Sequence, residues 1–264
     1  MNISDNEIHL WFAYDQDISD DGLLSKYHQL LNQEESTQQA RFHFEKHRHQ
    51  YLITRAMVRT VLSSYVNSIS PEEWRFKKNK YGKPSISNKS LTMPLRFNLS
   101  HTDKLIIMAV TLDNEIGVDV EYLPRRGNPL DIAERFFSAK ELEQLFQLPV
   151  EKRQERFFDL WTLKEAYIKA CGMGLSIPLD HFSYSFSESG GISIDFVPER
   201  CDQPELWQFW QVNPNETHKI SMALKRTSAE LNNELSISMR EFVPLSEIKT
   251  VYYPITKGRL VTNE

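Results

Sequence analysis

Asp119 and Glu121 lie two residues apart in Gly117-Val118-Asp119-Val120-Glu121, where Ile116, Val118 and Val120 alternate with Gly117, Asp119 and Glu121. That period is a strand's. It would bury the aliphatic residues and put both carboxylates on the other face, roughly 7 Å apart. Two anions at that separation suit a shared cation held through oxygen ligands, directly or through water, as magnesium is when substrate phosphates supply other ligands. Further on, Trp161-Thr162-Leu163-Lys164-Glu165-Ala166-Tyr167-Ile168-Lys169 reads as a helix in which Glu165 and Lys169 are one turn apart and face the same way. A third acid and an ammonium are then presented together.

Each fragment alone has an ordinary reading. Alternating acids on a half-exposed strand form a solvated face, and Glu165 with Lys169 makes a surface pair worth about 0.3–0.5 kcal/mol. The combination says more. Gly117 leaves no side chain beside the acids, and Trp161 and Ile168 supply an apolar stripe beneath Glu165.

These elements belong to a chain of 264 residues, enough for one large domain or two small ones, with the 40% hydrophobic and 25% charged content of a globular protein. The longest apolar run, Leu105 to Val110, is too short to span a bilayer, and the first residues lack the basic and apolar regions of a signal peptide. A cytoplasmic protein with no membrane partner is expected. Cys171 and Cys201 show no metal-site spacing and fit a reducing compartment as free thiols. A net charge of −5 argues against general nucleic-acid binding. Basic residues nevertheless cluster at Arg41, Lys46, Arg48, Arg55 and Arg59, and again at Lys77, Lys78, Lys80 and Lys83, where a polyanionic small molecule or an acidic partner could be held.

The chain also repeats itself. Glu7-Ile8 to Tyr14 answers to Glu115-Ile116 to Tyr122, Arg55 to Arg59 answers to Glu165 to Lys169, and Lys104 to Val110 answers to Lys219 to Leu224, in the same order. Three such matches indicate two copies of one α+β unit, 1–113 and 114–225, with a cleft between them for a ligand. The first copy is read as a long helix from Gln38 to Tyr65 with strands at Trp74 to Phe76, Leu95 to Leu99 and Leu105 to Thr111. In the second, Ser138-Ala139-Lys140-Glu141 makes a capping box and Gly172 stops the long helix after Cys171. Residues 226–264 fall outside the repeat; their pattern allows one or two further strands and suggests no function.

The two opening segments resemble the signature pair of the 4′-phosphopantetheinyl transferases. Other stretches are similar to that family in the same order: Tyr81-Gly82-Lys83-Pro84, Phe97-Asn98-Leu99-Ser100-His101, Arg135-Phe136-Phe137-Ser138 and Gly172-Met173-Gly174-Leu175-Ser176-Ile177-Pro178-Leu179. Length and duplication resemble the monomeric, two-lobed, surfactin-synthetase-activating branch rather than the short trimeric holo-acyl-carrier-protein synthases. The resemblance runs over about residues 5 to 225.

It implies an α+β fold of two pseudo-symmetric halves and transfer of the 4′-phosphopantetheine arm of coenzyme A to a serine of an apo acyl or peptidyl carrier protein, with 3′,5′-ADP as the other product. Fatty-acid, polyketide and non-ribosomal peptide carriers all qualify. By the resemblance Asp119, Glu121 and Glu165 bind Mg2+, Lys169 meets the departing phosphate, and Lys164 lies near phosphate. Ser100 and His101 match contacts to the coenzyme A phosphates and Lys83 a contact near the adenine, while Lys46, or else Arg48 or Arg55, meets the 3′-phosphate. The first half is then the nucleotide side and the second the catalytic side. Glu141 has a suggested catalytic part in the family, and the capping box accounts for it equally; Glu165, acting through water, is preferred as the base. Two other classes stay open. One is a coenzyme A or carrier-binding module without catalysis, the other a magnesium-dependent diphosphate hydrolase.

Overall fold

The computed structural model describes residues 1–124, 128–227 and 234–258. In chain order the elements are β1 (Glu7–Ala13), α1 (Asp21–Leu30), α2 (Gln33–Ala40), α3 (Glu45–Tyr65), β2 (Phe76–Lys78), β3 (Pro84–Ile86), β4 (Leu95–Thr102), β5 (Leu105–Leu112) and β6 (Glu115–Tyr122). There follow α4 (Ala133–Phe136), α5 (Ala139–Gln147), α6 (Val150–Cys171), β7 (Phe182–Phe186), β8 (Ile192–Phe196), β9 (Trp207–Asn215), β10 (His218–Lys225), β11 (Ser236–Val243), β12 (Glu247–Val251) and β13 (Ile255–Lys257).

Two sheets form the centre, with strand orders β12-β11-β1-β5-β4 and β13-β9-β10-β6. Strand alternation makes each sheet two-faced. Trp11 and Ala13 of β1 pack with Met57, Val61 and Leu62 of α3, whereas Ile8, Leu10 and Phe12 face Val118, Val120, Ile220 and Met222 of the second sheet. On the far side of that sheet Ala223 and Phe209 pack with Leu163, Ala166 and Tyr167 of α6. The result is four layers, α3, sheet, sheet, α6, and a fold of the α+β class. β1 pairs with β5 and β6 with β10, both antiparallel, so the matched segments occupy matching places.

The first half departs from the sequence reading at two places. The helix expected from Gln38 to Tyr65 is interrupted between Ala40 and Glu45, where Arg48 donates from Nη1 to the carbonyls of Phe42 and His43 and so satisfies the turn. The strand expected at Trp74 begins instead at Phe76, because the Trp74 indole is buried and donates to Ser63 Oγ at 2.8 Å. In the second half the Ser138 to Glu141 capping box and the left-handed Gly172 stop, φ 67°, are both present.

Among the described residues beyond 225 there are three strands rather than one or two. β11 extends the first sheet by pairing parallel to β1, and β13 extends the second by pairing with β9. Lys257 of β13 also donates to Asp159 of α6 at 2.9 Å. The tail therefore joins both sheets. Residues 228–233 and 259–264 lie outside the described residues.

Candidate active site

The site forms where the outer strand of each sheet, β4 and β6, run side by side under the C-terminal half of α6. Gly117 permits this. A Cβ there would lie 2.0 Å from the Ala166 carbonyl oxygen and 2.4 Å from the Ala170 nitrogen, so only glycine lets the helix seat on the strand. The seating brings Lys169 Nζ to 2.6 Å from Asp119 Oδ1 and 2.8 Å from Ser100 Oγ. Ser100 Oγ in turn donates to Asp119 Oδ1 at 3.0 Å and accepts the Val120 amide at 3.2 Å. Its one proton and both lone pairs are thereby used. The serine expected to meet a phosphate is, in this arrangement, a junction between β4, β6 and α6.

Asp119 Oδ2 is buried and has no hydrogen-bond partner among the described residues. Glu121, 9% exposed, accepts the Trp161 indole N–H at 2.9 Å. Glu165 is half-buried, and its carboxyl is pushed up to about 7, first by burial and then by the Asp119 charge, with Lys169 opposing. Negative groups are thus crowded beyond what the single ammonium relieves. Among the described residues no three His, Cys, Asp or Glu side chains are gathered into a cage that could hold a metal by themselves. The orphaned Asp119 oxygen and the raised Glu165 fit a magnesium ion that takes remaining ligands from phosphate and water, as this ion commonly does.

The other expected residues divide into three groups. His101 lines a cavity of about 560 Å³ with Phe42, His47, Tyr51, Arg55 and Asp103, and its imidazole is lowered by loss of solvent and then by Lys169 and His47. Lys46 reaches Asp103 on the rim of this cavity at 3.5 Å. Its alternatives are committed elsewhere, Arg48 to the α2–α3 turn and Arg55 to Glu35 through Nε at 2.7 Å. Lys83 lines a second cavity, of about 540 Å³, where it donates to Glu115 at 2.6 Å and to the Ala170 carbonyl at 2.8 Å.

Lys164 and Glu141 line neither cavity and are both buried in the second half. Lys164 Nζ, fully buried, donates to the carbonyls of Leu179 and Phe182 and lies 2.9 Å from Glu141 Oε2. Glu141, equally buried, caps α5 through Ser138 and accepts the Tyr184 amide. The reason is helical geometry. Lys164 is about 100° around α6 from Glu165, so when Glu165 faces the cleft its neighbour points into the core.

Four side chains contribute in ways that went unnoticed in the sequence. The Trp161 indole, read there only as apolar, holds Glu121. Asn79 accepts the amides of Tyr81 and Lys83 and donates to the Gly172 carbonyl at 2.6 Å, tying the hairpin to the end of α6; an Asn at the start of a Tyr-Gly turn was its available signal. Asn98 and Thr102 accept amides of β6 from β4.

Residues 115–223 match the 4′-phosphopantetheinyl transferase superfamily, and residues 20–113 match the N-terminal unit of 4′-phosphopantetheinyl transferases. The 4′-phosphopantetheinyl transferase HetI of Nostoc sp. is 35% identical over 225 residues, 85% of this chain and 90% of its own. The chain belongs to the 4′-phosphopantetheinyl transferase superfamily. Other members similar to it are the Bacillus subtilis transferases Sfp, 32% identical over 72% of this chain and 80% of its own, and ffp, 34% identical over 70% and 78%. In this transferase the two matched regions meet at the β4–β6 line, so the Asp119, Ser100 and Lys169 junction draws on both. Among the described residues no helix is long and apolar enough to cross a membrane.

Proposed function

We propose that this protein transfers the 4′-phosphopantetheine arm of coenzyme A to a serine hydroxyl of an apo acyl or peptidyl carrier protein, releasing 3′,5′-ADP. Family membership supports the reaction. The observation that carries the reading is the junction of Lys169, Asp119 and Ser100, which sets an ammonium and an acid together where the two matched halves meet.

In this reading 1–113 is the nucleotide half, 114–225 the catalytic half, and 226–264 an extension with no assigned role in the reaction. Asp119, Glu121 and Glu165 would hold magnesium, which when bound neutralises phosphate charge. Lys169 donates to the phosphate that departs with the nucleotide, stabilising the charge that builds on it. His101 and Lys46 take the nucleotide phosphates, with Lys46 rather than Arg48 or Arg55 toward the 3′-phosphate because its ammonium has only an exposed pair to give up. Lys83 borders the adenine end. Glu165, acting through a water, accepts the serine proton. Glu141 serves structure. The enzyme works as a cytoplasmic monomer.

Incubation with coenzyme A, magnesium and an apo carrier, followed by intact mass measurement of the carrier, tests the reading. The carrier should gain the phosphopantetheine arm. Binding without gain would make the protein a binding module, and coenzyme A breakdown without a carrier would make it a hydrolase.

A further inference from the structure

β4 and β6 are each the last strand of a sheet, and such strands carry a row of backbone groups with no neighbouring strand to bond them. The two lie side by side but share no backbone ladder. Side chains bond them instead. The amide of Val118 donates to Asn98 Oδ1 at 2.9 Å, that of Val120 to Ser100 Oγ at 3.2 Å, and that of Tyr122 to Thr102 Oγ1 at 3.3 Å. Each rung spans 20 residues of sequence, so the three are in one constant register.

The middle rung is the serine that binds Asp119 and Lys169. Its neighbours on either side bond the same two strands in the same register. A backbone ladder would fix two strands through every residue; this spine has three side chains to do so. We propose that Asn98 and Thr102 are positioning residues that hold the two halves of the site in register, acting through Ser100 and Asp119 without touching the reacting groups. The proposal rests on the transferase reading for its kinetic arm only.

Thr102→Val and Asn98→Leu each remove an acceptor at nearly constant size, and Thr102→Ser keeps it. With the full-length protein, kcat for carrier modification should fall about tenfold or more in Thr102→Val and Asn98→Leu, the scale expected when reacting groups lose alignment. Affinity for 3′,5′-ADP, measured by calorimetry without metal, should fall far less than kcat, because His101, Lys46 and Lys83 of the first half supply most of its contacts and only Lys169 comes from the second. Thermal unfolding should remain a single transition, amide exchange across 117–122 should accelerate, and Thr102→Ser should behave as wild type. Folded variants with wild-type kcat would overturn the proposal, as would equal losses in kcat and 3′,5′-ADP affinity. If Asn98→Leu does not fold, Thr102→Val, at a half-buried position, decides. A wild-type protein that transfers nothing would sink the functional reading instead, and unchanged exchange at Val118 and Tyr122 in the variants would still refute the spine.

Discussion

Lys169 Nζ sits 2.6 Å from Asp119 Oδ1, so the ammonium assigned to the substrate and the carboxylate assigned to the metal are partners in the unliganded protein. The pair is mostly shielded, with 27% and 7% of the two side chains exposed. Under the proposed assignment each turns to its ligand only as the other's charge is met, so metal and phosphate binding should be coupled.

Lys169→Ala should accordingly lower kcat by about 100-fold or more, the scale of losing one preorganised charge contact in a transition state, while KM for coenzyme A changes far less. Steady-state kinetics with a saturating carrier measures both. A loss confined to KM would move Lys169 to ground-state binding. Asp119→Ala should abolish transfer, and near-normal rates at limiting magnesium would contradict its assignment.

Glu165 makes the metal-free protein pH-sensitive. Its folded-state value of about 7 lies above the ordinary 4.5, so the folded chain holds this proton more tightly than the unfolded one. Its relative stabilisation is full below about pH 4.5 and lost as pH rises through about 7. Glu165→Gln should therefore stabilise metal-free protein at pH 8 by on the order of 1–3 kcal/mol and change little at pH 5, while removing transfer. Urea denaturation at both pH values measures the difference. Magnesium binding to the wild type should release protons and tighten between pH 6 and 8 on the order of the same shift.

The Lys164–Glu141 pair should behave as structure. Removing one partner, as in Lys164→Met, leaves a buried charge alone and should cost about 3–5 kcal/mol. Lys164→Met with Glu141→Gln should recover a large part of that stability and transfer together. A doubly substituted protein that is stable but inactive would return Glu141 to the chemistry.

Gly117→Ala should fail to form the site. The added carbon meets backbone atoms of Ala166 and Ala170, which cannot swing aside as a side chain could, so α6 must lift from β6. Thermal stability and transfer should fall together, and Glu165→Gln should no longer stabilise because the carboxyls are already apart. A folded Gly117→Ala protein with normal transfer would show that the close seating is not needed.

Periodicity and spacing were enough to place Asp119 and Glu121 on one face of a strand and Glu165 and Lys169 on one face of a helix, because those faces depend only on the repeat of strand and helix. The capping box at Ser138 and the stop at Gly172 were legible for the same local reason. Local rules failed where a distant group intervened. Arg48 completes the turn that splits the first long helix, and the buried Trp74 displaces the start of β2.

The chain by itself determined its family and its α+β class, since these follow from residue type and order. Tertiary structure alone decided which neighbours within a motif face the site. Lys169 reaches the junction and Glu165 lies close enough to feel the charges of Asp119 and Lys169, while Lys164 is turned into the core against Glu141, because one step along a helix is about 100° of rotation. It also decided that Asn98, Ser100 and Thr102 bond β6, for no sequence pattern records which edge strand lies beside which. That adjacency is set by burial of Ile8, Leu10 and Phe12 against Val118, Val120 and Ile220, an apolar contact between sheets that carries no address until the chain has folded.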